Sequence, residues 1–257
     1  MTFERHRFGS RDILLFGDGL FEAPASVISH ADGEQAREAA IAAFGAPRLS
    51  IDCHLFTIPG EAGVTLIDAG GGPAMGPGFG KARTAMVREG ITPEAVRRVL
   101  LTHIHSDHAL GLLDGEGAYF PTAELLIPAA EFAYFTDAAA KAALPEARRG
   151  PFGIMERVRA AYDGRIQIVP EGAVSAGFDL VPLPGHTPGH AGYRLTENGR
   201  TLMILGDVLH LGALQAADPA LGLVYDLDQA VAVVPRIYEA LRGIEFVTRK
   251  VTDGVAR

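Results

Sequence analysis

The sequence predicts an α/β fold in which two β-sheets pack face to face with helices on their outer faces, a four-layer αββα sandwich. Three observations predict it. Strand-like and helix-like segments alternate along all 257 residues. Each half holds a hairpin that ends in an aspartate, Cys53–Ile67 before Asp68 and Tyr193–Leu205 before Gly206-Asp207, which hints at a duplicated sheet-plus-helices unit. Apolar strands in both halves run straight into loops rich in histidine, glycine and proline.

Taken in order, Ile13–Phe16 and Ala25–Ile28 read as short strands, and the Ala-rich Gly33–Phe44 as a helix. Ser50–Ile58 and Val64–Ile67 form a hairpin turned at Pro59–Gly63. Asp68–Pro73 is a loop of helix and strand breakers. Lys81–Glu89 is helical, and Thr92-Pro93-Glu94 opens another helix, with Thr92 as N-cap and Pro93 at its first position. Val99–Leu101 is a strand, and Asp107–Leu113 begins a helix. Leu125–Ile127 is a strand and Ala129–Phe135 a helix. Thr136–Gly153 mixes Ala, Pro and charge as a surface excursion would, and Ile154–Tyr162 is helical. Ile166–Val169, Phe178–Pro182, Ala191–Leu195 and Thr201–Leu205 are strands. Asp228–Arg242 closes the series as a helix, with Ile237 and Leu241 on one face.

Composition narrows the function classes. Hydrophobic residues make up 48% and charged residues 21%, as in a soluble globular chain. A net charge of −8 lacks the basic footprint that nucleic acid requires. The charged start MTFERHRFGSRD is no secretory leader, and no stretch is long and apolar enough to span a bilayer. A cytoplasmic protein without a membrane partner is the expectation. Cys53 is the one cysteine, so no intrachain disulfide forms, and it reads as a small buried hydrophobe in a strand.

The chemistry concentrates in THIHSDHAL, Thr102 to Leu110. His103 and His105 alternate at the end of a strand, so both can face one centre. Asp107 and His108 follow at a helix start. Imidazole with carboxylate suits zinc, iron, cobalt or manganese. This many ligands so close together are read most economically as serving two adjacent ions. A second cluster, LPGHTPGH, seats His186 between Pro-Gly and Thr-Pro-Gly in a stiff loop. A third piece, Gly206-Asp207, follows the apolar strand Leu202–Leu205, where a carboxylate can bridge two metals.

HIHSDH, then GHTPGH, then GD resembles the metallo-β-lactamase fold superfamily of metallohydrolases over nearly the whole chain. The resemblance implies a single domain over 1–257 with two mixed sheets. It implies that His103, His105 and His186 hold a first divalent ion, that Asp107 and His108 hold a second, and that Asp207 bridges them. Asp68-Ala69-Gly70 is similar to the Asp-Thr-Gly placed before this metal motif, where the carboxylate supports the site from behind. The run Gly70–Lys81, with GPGFGK, resembles the branch that includes methyl parathion hydrolase and some N-acyl-homoserine lactonases. Family habit implies a homodimer.

The pattern breaks at its end. The superfamily normally supplies one more histidine after the last long helix, yet no histidine follows His210. From about 243 the tail RGIEFVTRKVTDGVAR has no likeness to the family's ending, either by divergence or by truncation. The second ion is therefore expected to bind more weakly. A water or His210 could fill the gap. For His210 a role facing the substrate, or behind the ligands, is favoured over ligation. His190 is read as a loop residue hydrogen-bonded near the site, His54 as structural, and His6 and His30 carry no signal. Phe120, Phe132, Tyr134 and Phe135 either line a substrate pocket or pack in the core.

The expected function is a metal-dependent hydrolase of a small ester, lactone or phosphotriester, using a metal-bound hydroxide. Asp107 orients the nucleophile and moves its proton, and His210 donates a hydrogen bond to substrate or leaving group. Three alternatives stay open: a mononuclear iron oxygenase, a glutathione-thioester hydrolase, or a metal-binding non-enzyme that has lost its last ligand. Zinc is the first choice of metal.

Overall fold

The computed structural model describes residues 3–175, 177–232 and 245–246. In chain order the elements begin with β1 (Phe3–Phe8), β2 (Arg11–Pro24), β3 (Ile28–His30), α1 (Glu34–Phe44), β4 (Arg48–Ile58), β5 (Val64–Ile67) and α2 (Lys81–Arg88). Next come β6 (Val96–Leu100), α3 (Ser106–Ala109), β7 (Leu113–Asp114), β8 (Gly117–Ala118), β9 (Glu124–Pro128), α4 (Ala129–Thr136), α5 (Ala138–Ala143) and α6 (Gly150–Ala161). The rest are β10 (Ile166–Val169), β11 (Gly172–Ser175), β12 (Phe178–Pro182), β13 (Ala191–Glu197), β14 (Arg200–Ile204), α7 (Gly212–Ala217), β15 (Leu221–Leu223) and β16 (Glu245–Phe246).

Two mixed sheets carry the fold. The larger has the order β1-β2-β4-β5-β6-β9-β10, antiparallel from β1 to β5 and parallel from there on. The smaller has the order β11-β12-β13-β14-β16, with β16 parallel to β14.

Side-chain alternation explains the layering. In β2, Ile13 and Leu15 join Phe178, Tyr193, Leu202 and Ile204 of the smaller sheet in a core between the sheets. Leu14 and Phe16 point the other way, into a core with Met86 of α2, Phe135 of α4 and Met155 of α6. In β14, Met203 faces outward from the inter-sheet core and packs with Leu183, Leu205 and Val208. Both faces of these strands are buried, so they read as continuous apolar runs.

Several local expectations change in the structure. Ala25–Val27 is a 3-10 turn, and the strand begins at Ile28. Pro24, which has no N–H to give a ladder, ends β2 there. Thr92 makes no side-chain cap, and Pro93–Ala95 is only a 3-10 turn. The chain must then deliver Val96, Val99 and Leu100 to the sheet beside β5, so the helix stops. The helix after His105 is one turn, Ser106–Ala109, followed by 3-10 geometry, and Leu113 enters β7. β1 and most of β2 were not anticipated; their signal was the turn at Gly9-Ser10, with Gly9 at φ 56. Residues 136–153 are mostly exposed but contain α5 and the start of α6. The helix expected over 228–242 lies outside the described residues from 233 on. Asp228 does open a helical turn, accepting from the Val231 N–H at 3.1 Å. Of the atypical tail, only Glu245–Phe246 is described, as β16.

Candidate metal centre

The site lies at one end of the sandwich. β5 and β6 are parallel and deliver Asp68 and His103 to the same end. β12 and β14 are both antiparallel to β13, so they too run alike and deliver His186 and Asp207 together. The sheets are tied there: the Ala191 N–H donates to Thr102 O at 3.0 Å, and the Tyr193 hydroxyl to Leu101 O at 2.7 Å.

The loops follow from their residue types. Asp68 adopts a left-handed backbone, φ 58, which aspartate tolerates better than most side chains. Its carboxylate accepts from the Thr102 N–H (2.8 Å), the Thr102 hydroxyl (2.8 Å) and His108 Nδ1 (2.7 Å). Asp68 therefore stands behind the loop that carries His103, His105 and His108. Gly206, φ 57, lets the chain turn tightly against His190 and Thr102 before Asp207.

The hydrogen-bond network assigns the imidazole tautomers. His103 Nδ1 donates to Thr102 Oγ1 at 3.0 Å, His108 Nδ1 to Asp68, and His186 Nδ1 to Asp226 Oδ1 at 2.8 Å. Each of these rings then turns its Nε2 toward Asp207. Burial lowers the His108 pKa, but Asp207, Asp107 and Asp68 outweigh it and hold that ring well above its ordinary value. His105 presents Nδ1, 2.8 Å from His186 Nε2. Burial, with nearby His108 and His105, holds the His103 pKa well below its ordinary value; burial, then His186, brings His105 down to about 3. Neutral imidazoles are the metal-binding form. The Nε2 of His103 is fully buried and has no hydrogen-bond partner, which is costly unless something else meets its lone pair.

Asp207 has two faces. Its Oδ1 lies 3.0 Å from His108 Nε2, which is 3.4 Å from Asp107 Oδ2. Its Oδ2 lies 3.1 Å from His210 Nε2, 3.4 Å from His186 Nε2 and 3.8 Å from His103 Nε2. Burial pushes the Asp207 pKa up, His108 and His210 pull harder, and the carboxyl ends well below the usual range. Among the described residues, three overlapping sets could hold a metal: His103, His105 and His186; His103, His108 and Asp207; His186, Asp207 and His210.

The structure thus brings together His103, His105, Asp107, His108, His186, Asp207 and His210. His210 sits on the Oδ2 side of Asp207, with His186. His190 donates from Nδ1 to Leu183 O (3.0 Å) and accepts the Asp207 N–H at Nε2 (3.0 Å), so it has no lone pair left for an ion. Cys53 is buried in β4, with its thiol 3.7 Å from Asp107 Oδ2. His54 packs edge-on against Phe56. His30 pairs with Asp218 and His6 with Glu4.

A cleft of about 290 Å³ opens over these residues. Its apolar wall includes Phe21, Ile51, Met75, Phe135 and Tyr225, and Arg148 stands among its lining. Of the four aromatics named from sequence, Phe135 lines the cleft, Phe120 is in the core, and Phe132 and Tyr134 pack against the core. Sequence reasoning missed Asp226, for which no local signal exists. It also missed Asp18 and Glu131, whose signal was a lone acid inside an apolar segment, LLFGDG and PAAEFAYF. Asp18 is buried and accepts from the Gly71, Gly72 and Ala82 N–H groups, fixing the loop before α2.

The profile of the Metallo-beta-lactamase superfamily matches residues 46–235. The chain belongs to the metallo-β-lactamase superfamily. Within this metallohydrolase superfamily it is similar to a probable metallo-hydrolase of Mycobacterium tuberculosis, 29% identical over 196 residues, covering 67% of this chain and 61% of the relative. The chain therefore spans less than two thirds of that relative's length. YobT of Bacillus subtilis is 30% identical over 167 residues, 63% of each chain. Among solved structures, the hydrolase AbOPH superposes with a TM-score of 0.81 at 25% identity, covering 95% of this chain and 88% of that one. AidC, described as a dizinc quorum-quenching lactonase, superposes at 0.78 with 20% identity, covering 93% and 85%. The mixed-sheet α/β architecture is that of the superfamily. The neighbours include N-acyl homoserine lactone lactonases, the branch that the GPGFGK loop suggested. No helix among the described residues is long and apolar enough to cross a membrane.

Proposed function

We propose that this chain is a metal-dependent hydrolase of a small ester, lactone or phosphotriester. The observation that carries the reading is that the Nε2 atoms of His103, His108 and His186 converge on Asp207, each ring fixed from behind by a hydrogen bond. That is how imidazole ligands are oriented for a cation. In this reading His103, His105 and His186 hold a first divalent ion, Asp107 and His108 a second, and Asp207 faces both. Zinc suits the donor set, with iron, cobalt and manganese as other candidates. When bound, the two cations supply a hydroxide near neutral pH and polarise the electrophilic oxygen of the substrate.

The chain's own residues do the rest. Asp107 reaches the cleft and can hold the proton released from the nucleophile. His210 also lines the cleft, on the first-ion side, where its ring can donate to substrate or leaving group. The apolar wall suits an acyl or alkyl arm of the substrate. The names of AbOPH and AidC support a hydrolase of this kind.

The test is metal content on protein purified without chelator, paired with hydrolysis of a lactone and an aryl ester. Near two ions per chain with turnover is expected. Stoichiometric metal with no hydrolysis of any ester or lactone would leave a binding protein instead.

A further inference from the structure

We propose that Glu131 is a positioning residue that clamps the two histidine loops together and sets the spacing of the first-ion nitrogens. The proposal rests on the reading of His103, His105 and His186 as one ligand set.

Glu131 is fully buried in the first turn of α4. An acid at that position ordinarily reaches back to the N–H of its own helix cap. Here the cap is Pro128, which has no N–H. The side chain reaches out of the helix instead. Its Oε1 accepts the N–H of Ile104 at 2.9 Å, and Ile104 lies between His103 and His105. Its Oε2 accepts the hydroxyl of Thr187 at 2.6 Å, the residue after His186. The Gly189 N–H is a further donor to the same carboxyl. One carboxyl therefore spans both loops.

The second half of the observation is steric. Gly189 comes so close to α4 that a Cβ there would overlap the backbone of Glu131. The PGH of GHTPGH is thus shaped to seat that loop on the helix that carries the acid. Across the loops so joined, His105 Nδ1 and His186 Nε2 face each other at 2.8 Å. Asp68 and Asp226 orient single rings, whereas Glu131 touches no ring and sets the distance between two backbones. Without it, two buried N–H groups lose their acceptor and the loops lose their common anchor.

Wild type, Glu131→Ala and Glu131→Gln are compared by amide exchange at Ile104 and Gly189 in metal-free protein, and by zinc titration against a chromophoric chelator. In Glu131→Ala, exchange at both amides is expected to rise at least about tenfold, and the tighter zinc to weaken roughly ten- to a hundredfold. Glu131→Gln should restore most of both, since its oxygen still accepts from Ile104 and its NH2 can donate to Thr187. Exchange and zinc affinity in Glu131→Ala within twofold of wild type would overturn the clamp. Should Glu131→Ala fail to fold, Thr187→Val takes its place: faster Gly189 exchange with weaker zinc supports the clamp, and unchanged values overturn it. A wild type that takes up neither zinc nor iron, cobalt or manganese sinks the hydrolase reading, and the exchange rates alone then decide the clamp.

Discussion

The carboxylate of Asp226 lies 2.8 Å from Nδ1 of His186, reaching back from the loop after β15 to orient a ring that sits at the end of β12. It fixes which nitrogen of His186 faces the site. Removing the acceptor by Asp226→Ala should free the ring and weaken the tighter metal by roughly ten- to a hundredfold. Asp226→Asn keeps an acceptor oxygen and should lose less. Zinc competition against a chelator measures both, and equal affinity in the two variants and wild type would remove Asp226 from the site.

His210 lies beside Oδ2 of Asp207, with His186. If His210 serves the substrate and not an ion, His210→Ala should leave metal content unchanged, although His186, Asp207 and His210 together could also hold a metal. If His210 donates to the substrate, kcat should fall on the order of a hundredfold, the usual cost of losing one such donor. Mass-spectrometric metal analysis beside steady-state kinetics separates the cases. Loss of the second ion in this variant would make His210 a ligand.

Burial pushes the Glu131 carboxyl up to about 7 from its ordinary 4.5, despite hydrogen bonds from Thr187, Ile104 and Gly189. A folded-state pKa above the unfolded one means the folded chain holds its proton more tightly. The associated stability is fully present below about pH 4.5 and is lost as pH rises through about 7. Glu131→Gln cannot ionise. Between pH 5 and 8 the Tm of metal-free wild type should fall relative to that of Glu131→Gln. Parallel Tm curves for the two proteins would contradict the shift.

Two glycines should respond in opposite directions to alanine. Gly189→Ala puts a Cβ into the backbone of Glu131 and should cost about 1–3 kcal/mol. Gly153 lies within α6 with open space where its Cβ would be, so Gly153→Ala should gain about 0.5–1 kcal/mol of helix stability. Urea denaturation of both variants checks the pair. A neutral Gly189→Ala would mean the loop can lift off α4.

The loops that carry the clustered histidines and Asp207 were legible because their signals are local. HIHSDH, GHTPGH and GD each sit at the end of an apolar strand, and strand direction then carries them to one end of the sandwich. Short apolar runs bounded by turn residues likewise located most interior strands, since both faces of those strands are buried. The sequence by itself determined the superfamily, the layered architecture and the residues available to hold a metal. Only the tertiary structure decided how those residues are held. Asp226 behind His186, Glu131 between Ile104 and Thr187, and the two faces of Asp207 depend on side chains that meet across elements far apart in the chain. So does the side of Asp207 on which His210 stands. Motif spacing encodes what neighbours along the backbone can do, but a buried hydrogen bond between distant elements exists only once packing has expelled water from between them.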